Sequence, residues 1–383
     1  MKIGRSYRFR TFTSQKPSIL KIKELTNYLE ELCPLGYQES YDNCGLIVGD
    51  KEKEIKGVLL CLDSTEDVLK EAVKLGYNMV IAHHPILFFP IKKITGKTYS
   101  ERTLIYAIKH DIAIYAMHTN LDNIMVGVNN KIVQKLGLKN LSILSPKKGI
   151  LRKLVTFCPI NKADAVRTAL FAAGAGKIGD YNECSFNVEG TGTFRAGENT
   201  KPFIGKKHVR HHEKEEKIET IYPINIENKV VQALLNAHPY EEVAYDIYPM
   251  ELSHPQVGAG MIGELEKPMT EKDFLLMVKK NMKAGGIRYT PLIGKKVKRV
   301  AICGGAGSFL LNDALNKGAD AFITGDYKYH QFFDAEGKIL IADIGHYESE
   351  QFTPEILHSF LKEKFTTFAA QISKTNTNPV NYL

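Results

Sequence analysis

The stretch VLLCLDSTEDVLKEAVKLGYNMVIAHHP, residues 58–85, decides the fold, because it returns as VAICGGAGSFLLNDALNKGADAFITGDY at 300–327. The two superpose without a gap. Cys61 falls on Cys303, Gly76 on Gly318 and Ala82 on Thr324, while His83 and His84 fall on Gly325 and Asp326. In the first copy an apolar run is followed by Val68, Leu69, Ala72, Val73 and Leu75 at helical spacing, then by Gly76 and a second apolar run, which reads as strand, helix, strand. The chain is therefore expected to be α/β, with two related lobes built on βαβ units.

Each copy continues with a further helix and strand. YSERTLIYAIKHD leads to IAIYAM and then His118, and YHQFFDAEGK leads to ILIAD and then His346. Ligands of open α/β sheets collect outside the carboxyl ends of the strands. That rule puts His83, His84, His118, Asp326 and His346 at one site. Two adjacent histidines in an extended segment point to opposite faces, so His83 and His84 converge only if the chain turns, as Pro85 encourages.

Four residues beyond each terminal histidine stands a carboxylate: HTNLD holds His118 and Asp122, and HYESE holds His346 and Glu350. On a helical turn, positions i and i+4 share a face. One such pair is an ordinary exposed helical pair, but two pairs and a His-His at equivalent strand ends suggest a metal centre. Four imidazoles and two carboxylates exceed the three or four ligands of a mononuclear zinc site, so two metals bridged by a carboxylate are expected. The absence of thiolates from the set favours zinc, iron(II), manganese or cobalt.

Between the lobes the texture changes. KLVTFCP reads as a strand, KADAVRTALFAAGA as a helix, CSFNVEGTGTFRA as a glycine-punctuated hairpin, KIETIYPI as a strand, NKVVQALLNAH as a helix and VAYDIYPM as a strand. That order is βαββαβ, an inserted ferredoxin-like α+β domain. The division expected is an N-terminal extension (1–20), a first metal-binding lobe (21–150), the insertion (151–252), a second metal-binding lobe (253–370) and a C-terminal tail (371–383).

Composition narrows the classes. At 383 residues two domains, or one with a large insertion, are expected. The balance of 51 basic and 43 acidic residues, a net +8, is weak support for an anionic ligand and too little for a dedicated DNA binder. No apolar run approaches the roughly 20 residues of a membrane span. Six scattered cysteines without a C-x-x-C pair suggest neither a thiolate zinc site nor a disulfide framework, which suits the cytoplasm. The first twenty residues carry five basic residues and no acid, and lack a secretory h-region.

YDNCGLIVGD, AHHP, HTNLD, GGAGS, TGDYKYH and GHYESE together resemble the Nif-three-like dinuclear-metal-centre proteins, the GTP cyclohydrolase 1 type 2 homologues. The resemblance covers about residues 21–145 and 253–365, and the insertion resembles the PII- or CutA-like domain of the longer bacterial members. Tyr41 departs from the tryptophan usual before the DN motif. Carried over by position, the resemblance implies His83, His84, Asp122, His346 and Glu350 as ligands, Glu350 bridging, with His118 either completing the set or donating protons. It also implies two divalent ions per chain (zinc, iron or manganese), a homohexameric ring and a hydrolase.

Three further readings accompany this one. The loop Gly304, Gly305, Gly307 and Ser308 follows a strand and opens a helix, so its N–H groups are candidates for cradling a phosphate. His330 faces the same rim as a candidate proton-transfer residue or a solvated one. The histidine-rich GKKHVRHHEKEEK (205–217) reads as a solvated loop, and NAHPYEEVAYDI has no derivable ligand. The expected activity is hydrolysis of a nucleotide or phosphoester by a metal-activated water. The alternatives are a non-catalytic metal-binding, metallochaperone or regulatory protein and, on the net charge and the ring that the resemblance implies, a nucleic-acid-binding ring.

Overall fold

The computed structural model describes residues 20–366 and 369–383; the N-terminal extension expected at 1–20 lies almost wholly outside them. Among the described residues, fifteen strands form three sheets. In chain order they are β1 (Gly45–Val48), β2 (Val58–Asp63), β3 (Met79–His84), β4 (Ala113–Ala116), β5 (Lys139–Pro146), β6 (Leu151–Pro159), β7 (Ser185–Arg195), β8 (Arg210–Pro223), β9 (Tyr245–Met250), β10 (Gly258–Thr270), β11 (Arg288–Tyr289), β12 (Lys296–Ala306), β13 (Ala321–Gly325), β14 (Leu340–Asp343) and β15 (Ala370–Ile372).

The first sheet runs β1-β4-β3-β2-β15 and the second β11-β14-β13-β12-β10-β5. In both, three parallel strands carry the repeat, β2-β3-β4 in one and β12-β13-β14 in the other, and an antiparallel strand flanks the third, β1 beside β4 and β11 beside β14. The repeat thus extends one strand beyond the matched sequence.

The central strands are apolar on both faces because both are covered. On one side Leu59, Cys61, Val80, Ala82 and Ile114 pack under the helix Glu66–Leu75; on the other, Val58, Leu60, Met79, Ile81 and Tyr115 meet the helices Ile22–Leu32 and Thr353–Lys364. Each buried Leu, Ile or Val contributes about 1.5–3 kcal/mol, so these two-sided strands hold the ends that carry the histidines.

The lobes exchange elements. β5, from the stretch before residue 150, pairs with β10 in the second sheet, and β15, whose last two residues fall in the expected tail, pairs in parallel with β2 in the first. The helix Thr353–Lys364 likewise puts Ile356, Leu357 and Phe360 into the core under the first sheet. Each lobe is therefore completed by chain from the other.

Residues 151–250 form the third sheet, β7-β8-β6-β9, all antiparallel, with the helices Ile160–Ala172 and Glu227–Ala237 on one face. Two local expectations change here. CSFNVEGTGTFRA is one long strand, β7, whose hairpin partner is β8, and residues 210–217 of the histidine-rich run lie in β8 rather than in a loop. His208 and His211 bond Glu198 and Glu213 at 2.8 Å. In the second lobe the helix expected after β13 is a 3-10 helix, Tyr329–Ala335. No described helix is long and apolar enough to cross a membrane.

Candidate metal centre

The carboxyl ends of the parallel strands of both lobes open on one cleft of about 1170 Å³, lined by His84, His118, Asp122, Asp326, His346 and Glu350 among others. β3 ends in His83 and His84. His118 caps the short helix Thr119–Asp122, and His346 opens the helix His346–Glu350, so each i, i+4 pair does sit on a helical turn.

All four imidazoles are held by the same device. Their Nδ1 atoms face an acceptor: the Met117 carbonyl at 2.8 Å for His83, Asp63 at 2.7 Å for His84, Asp42 at 2.8 Å for His118 and Asp326 at 2.8 Å for His346. A carbonyl or carboxylate can only accept, so Nδ1 carries the proton and Nε2 offers its lone pair when the ring is neutral. This anchoring is how metal-ligating histidines are oriented and made more basic.

The Nε2 atoms converge. Glu350 Oε2 lies 3.0 Å from that of His84, 3.1 Å from that of His346 and 3.7 Å from that of His83, and the His84 and His346 Nε2 atoms are 3.2 Å apart. His83, His84 and His118 form one group able to hold a metal; His84, His346 and Glu350 form a second, and His84 belongs to both.

The residues fit a cation. His83 Nε2 and Asp122 Oδ1 are buried, 3.6 Å apart, and have no hydrogen-bond partner among the described residues. A buried polar atom left this way costs about 1–3 kcal/mol, and a metal ion beside both would satisfy them together.

The charged groups of the cleft act strongly on one another at these distances. Burial works against protonation of His84, but hydrogen bonds to Asp63 and Glu350 outweigh it and push its pKa up to about 9. His346 is pushed up to about 11, burial again opposing, chiefly by Glu350 and Asp326. Glu350 stays ionised despite its burial because His346 and His83 surround it, and Asp122 is raised by burial and by the Glu350 charge. Replacing these protons with cations is the chemistry the donor set favours.

The remaining candidates fall differently. The N–H groups of Gly304, Gly305 and Gly307 are donated within the protein, to Asn129 Oδ1, Ser349 Oγ and Thr324 Oγ1, each at 2.9 Å, and Ser308 Oγ accepts from Gln331 at 3.0 Å. What the loop supplies is room. Gly305 has φ +62°, and a Cβ there would collide with Glu350 Oε1. His330 is exposed beside Tyr329 and Phe333 and does not line the cleft.

Sequence reasoning passed over three anchors. Asp42 and Asp63 were not singled out for His118 and His84, although DN and CLDSTED mark them in the chain. Asp42 is also fixed by the Thr119 N–H at 3.0 Å and the Thr119 hydroxyl. The third is the tail: Thr377 donates to Asp63 Oδ2 at 2.6 Å and Asn378 donates to Glu348, so residues 377–382 form one wall of the cleft.

The comparisons agree with this architecture. A protein of Halalkalibacterium halodurans named GTP cyclohydrolase 1 type 2 homolog is 42% identical over 348 residues, spanning 89% of this chain and 93% of that protein. A Bacillus subtilis protein of the same name is 37% identical over 366 residues, 94% of this chain and 98% of its own length. Among solved structures, a Bacillus cereus protein related to NIF3 matches with a TM-score of 0.82 at 37% identity, covering 96% of this chain and all of that one. A Staphylococcus aureus protein matches with a TM-score of 0.76 at 30% identity over the same shares. The family model Duf34/NIF3 (NGG1p interacting factor 3) matches residues 20–379, and the chain belongs to that family.

Proposed function

We propose that the protein is a dinuclear metal-dependent hydrolase acting on a nucleotide or phosphoester, in line with the name its relatives carry. The observation that carries this reading is the convergence of Nδ1-anchored imidazoles on the single oxygen Glu350 Oε2, beside a cleft large enough for a small molecule. His83, His84, Asp122, His346 and Glu350 would hold two divalent cations, zinc, iron or manganese, with Glu350 between them. Bound there, such ions supply Lewis acidity and a water of lowered pKa.

The chain's own groups do the rest. Asp63, Asp326 and Asp42 keep the imidazoles in one tautomer. His118, tied to Asp42, presents Nε2 to the cleft and is placed to complete the ligand set or to pass a proton to a leaving group. With the glycine-loop N–H groups engaged, Arg288 is the one lysine or arginine among the described residues lining the cleft, held by Asp343 and by the Tyr327 carbonyl at 2.8 Å. Arg288 is thus the group a substrate phosphate would meet. Tyr41, Phe88 and Phe309 flank the opening and offer faces for a base to stack on.

The same reading takes residues 151–252 as a ferredoxin-like insertion, supported by its βαββαβ order and the β7-β8-β6-β9 sheet, and takes the assembly as a homohexamer, which a solution mass would test. The activity is tested with metal-loaded protein on a nucleotide and phosphoester panel, with Glu350→Ala as control. Turnover lost in the variant is the expected result. No turnover anywhere in the panel would turn the reading to a metal-binding protein without catalysis.

A further inference from the structure

A second cavity, of about 630 Å³, is built from residues between Phe157 and Ala244 of the insertion, within the size range of small-molecule sites. Its floor is the sheet face turned away from the helices. Ile218 and Tyr222 of β8 face the helices, so Glu215, an odd number of residues away, faces the other side. There it pairs with Gly190 of β7, as His211 pairs with Phe194.

Glycines clear that floor. A Cβ at Gly190 would meet nothing within 4 Å, and one at Gly192 would collide with the Glu215 carboxylate. The GTG of β7 therefore leaves the carboxylate lying across bare strand.

The stretch HPYEE, 238–242, builds the wall. Buried His238 donates Nε2–H to the Phe157 carbonyl at 2.9 Å and accepts the Tyr240 N–H at 3.2 Å. Tyr240, so fixed, donates its hydroxyl to Glu215 Oε1 at 2.8 Å, and Glu241 accepts the Lys201 N–H at 2.9 Å, tying the 196–205 loop to the rim. The Phe194 and Phe203 rings stand 6.2 and 6.3 Å from that of Tyr240. Glu215, Glu241 and Glu242 stand around the cavity with Lys217, and Lys217 is drawn to Glu219 at 2.5 Å.

We propose that this cavity binds a small organic cation, an ammonium or amidinium on a compact apolar body, seated between the Glu215 carboxylate and the rings of Phe194, Phe203 and Tyr240. A ring face attracts a desolvated cation, the carboxylate supplies the opposite charge, and the glycine floor supplies space. An inorganic cation would leave the aromatic walls unused. The site is independent of the metal centre.

The test is calorimetric titration of the full-length protein with choline, benzamidine and n-butylammonium, and with 3,3-dimethylbutan-1-ol, the uncharged isostere of choline. At least one cation should bind, and choline, if it is that cation, about tenfold more tightly than the alcohol. Glu215→Gln should weaken cation binding by a similar factor. Gly190→Val places a strand-favouring side chain in open space and should abolish binding while melting temperature and metal content stay unchanged. The proposal is overturned if no cation binds up to about 10 mM, if choline and its isostere bind equally, or if a folded Gly190→Val protein binds undiminished.

Discussion

The two lobes share a strand order and aim their strand ends at one cleft, yet the first two parallel strands of each end in different chemistry. In the first lobe β2 ends at Asp63, β3 at His83 and His84, and β4 is followed by His118. At the positions matching Asp63, His83 and His84 the second lobe has Gly305, Gly325 and Asp326, while His118 is matched by His346. A Cβ at Gly325 would lie 2.9 Å from the His346 backbone, and one at Gly305 would collide with Glu350 Oε1. One lobe supplies imidazoles and the other yields space and returns a single histidine and glutamate. A duplicated scaffold can build an asymmetric site in this way, because two sets of bulky ligands cannot occupy one cleft.

The comparison is sharpened most by pH. His84 of the first lobe and His346 of the second are both protonated at neutral pH without metal, with pKa values near 9 and 11, and both must lose that proton to bind a cation. Between about pH 7, below which Asp122 also takes up a proton, and pH 9, metal affinity should rise by up to about 100-fold per unit, a slope of two that competition titrations would read. With His346→Gln the slope should fall towards one. The metal-free protein should show the opposite trend: pKa values raised on folding stabilise fully below the unfolded value of about 6.5 and lose that contribution as pH climbs through the folded values. Its melting temperature should therefore decline from pH 6.5 to 9, and an increase would overturn the charge assignment.

Glu350→Ala removes the oxygen both lobes share. It should lower metal affinity more than about 100-fold, beyond what loss of an outer partner costs, and elemental analysis should find less than one ion per chain. Retention of two ions would break the picture of a shared bridge.

Next come the anchors. Asp63→Ala and Asp326→Ala occupy matched roles in opposite lobes, and each should cost about 10–100-fold in metal affinity. A large effect in one lobe and none in the other would show that the imidazoles are not held equivalently. The smallest effect belongs to Thr377→Val, which deletes one hydrogen bond to Asp63 worth about 0.5–1.5 kcal/mol and should weaken metal binding only a few-fold.

Much of the fold was legible because the repeat is local in sequence: two apolar strands around a helix of fixed length give the same register twice, and helical i, i+4 spacing places His118 with Asp122 and His346 with Glu350. The element order of residues 151–250 was legible for the same reason, whereas the β7-β8 hairpin was misplaced because glycines within a strand read as a turn.

The sequence by itself determined the strand-helix-strand units, the positions of the histidines at strand ends and the types of donor, since each depends on residues within a few turns of one another. Only the tertiary structure decided that Asp42 and Asp63 anchor imidazoles 76 and 21 residues away, that β5 and β15 cross between sheets, that the tail walls the cleft and that the glycine loop gives its N–H groups to the protein itself. These are choices among long-range partners, and a chain pattern carries no record of which acceptor a given Nδ1 or N–H meets once two lobes close on one another.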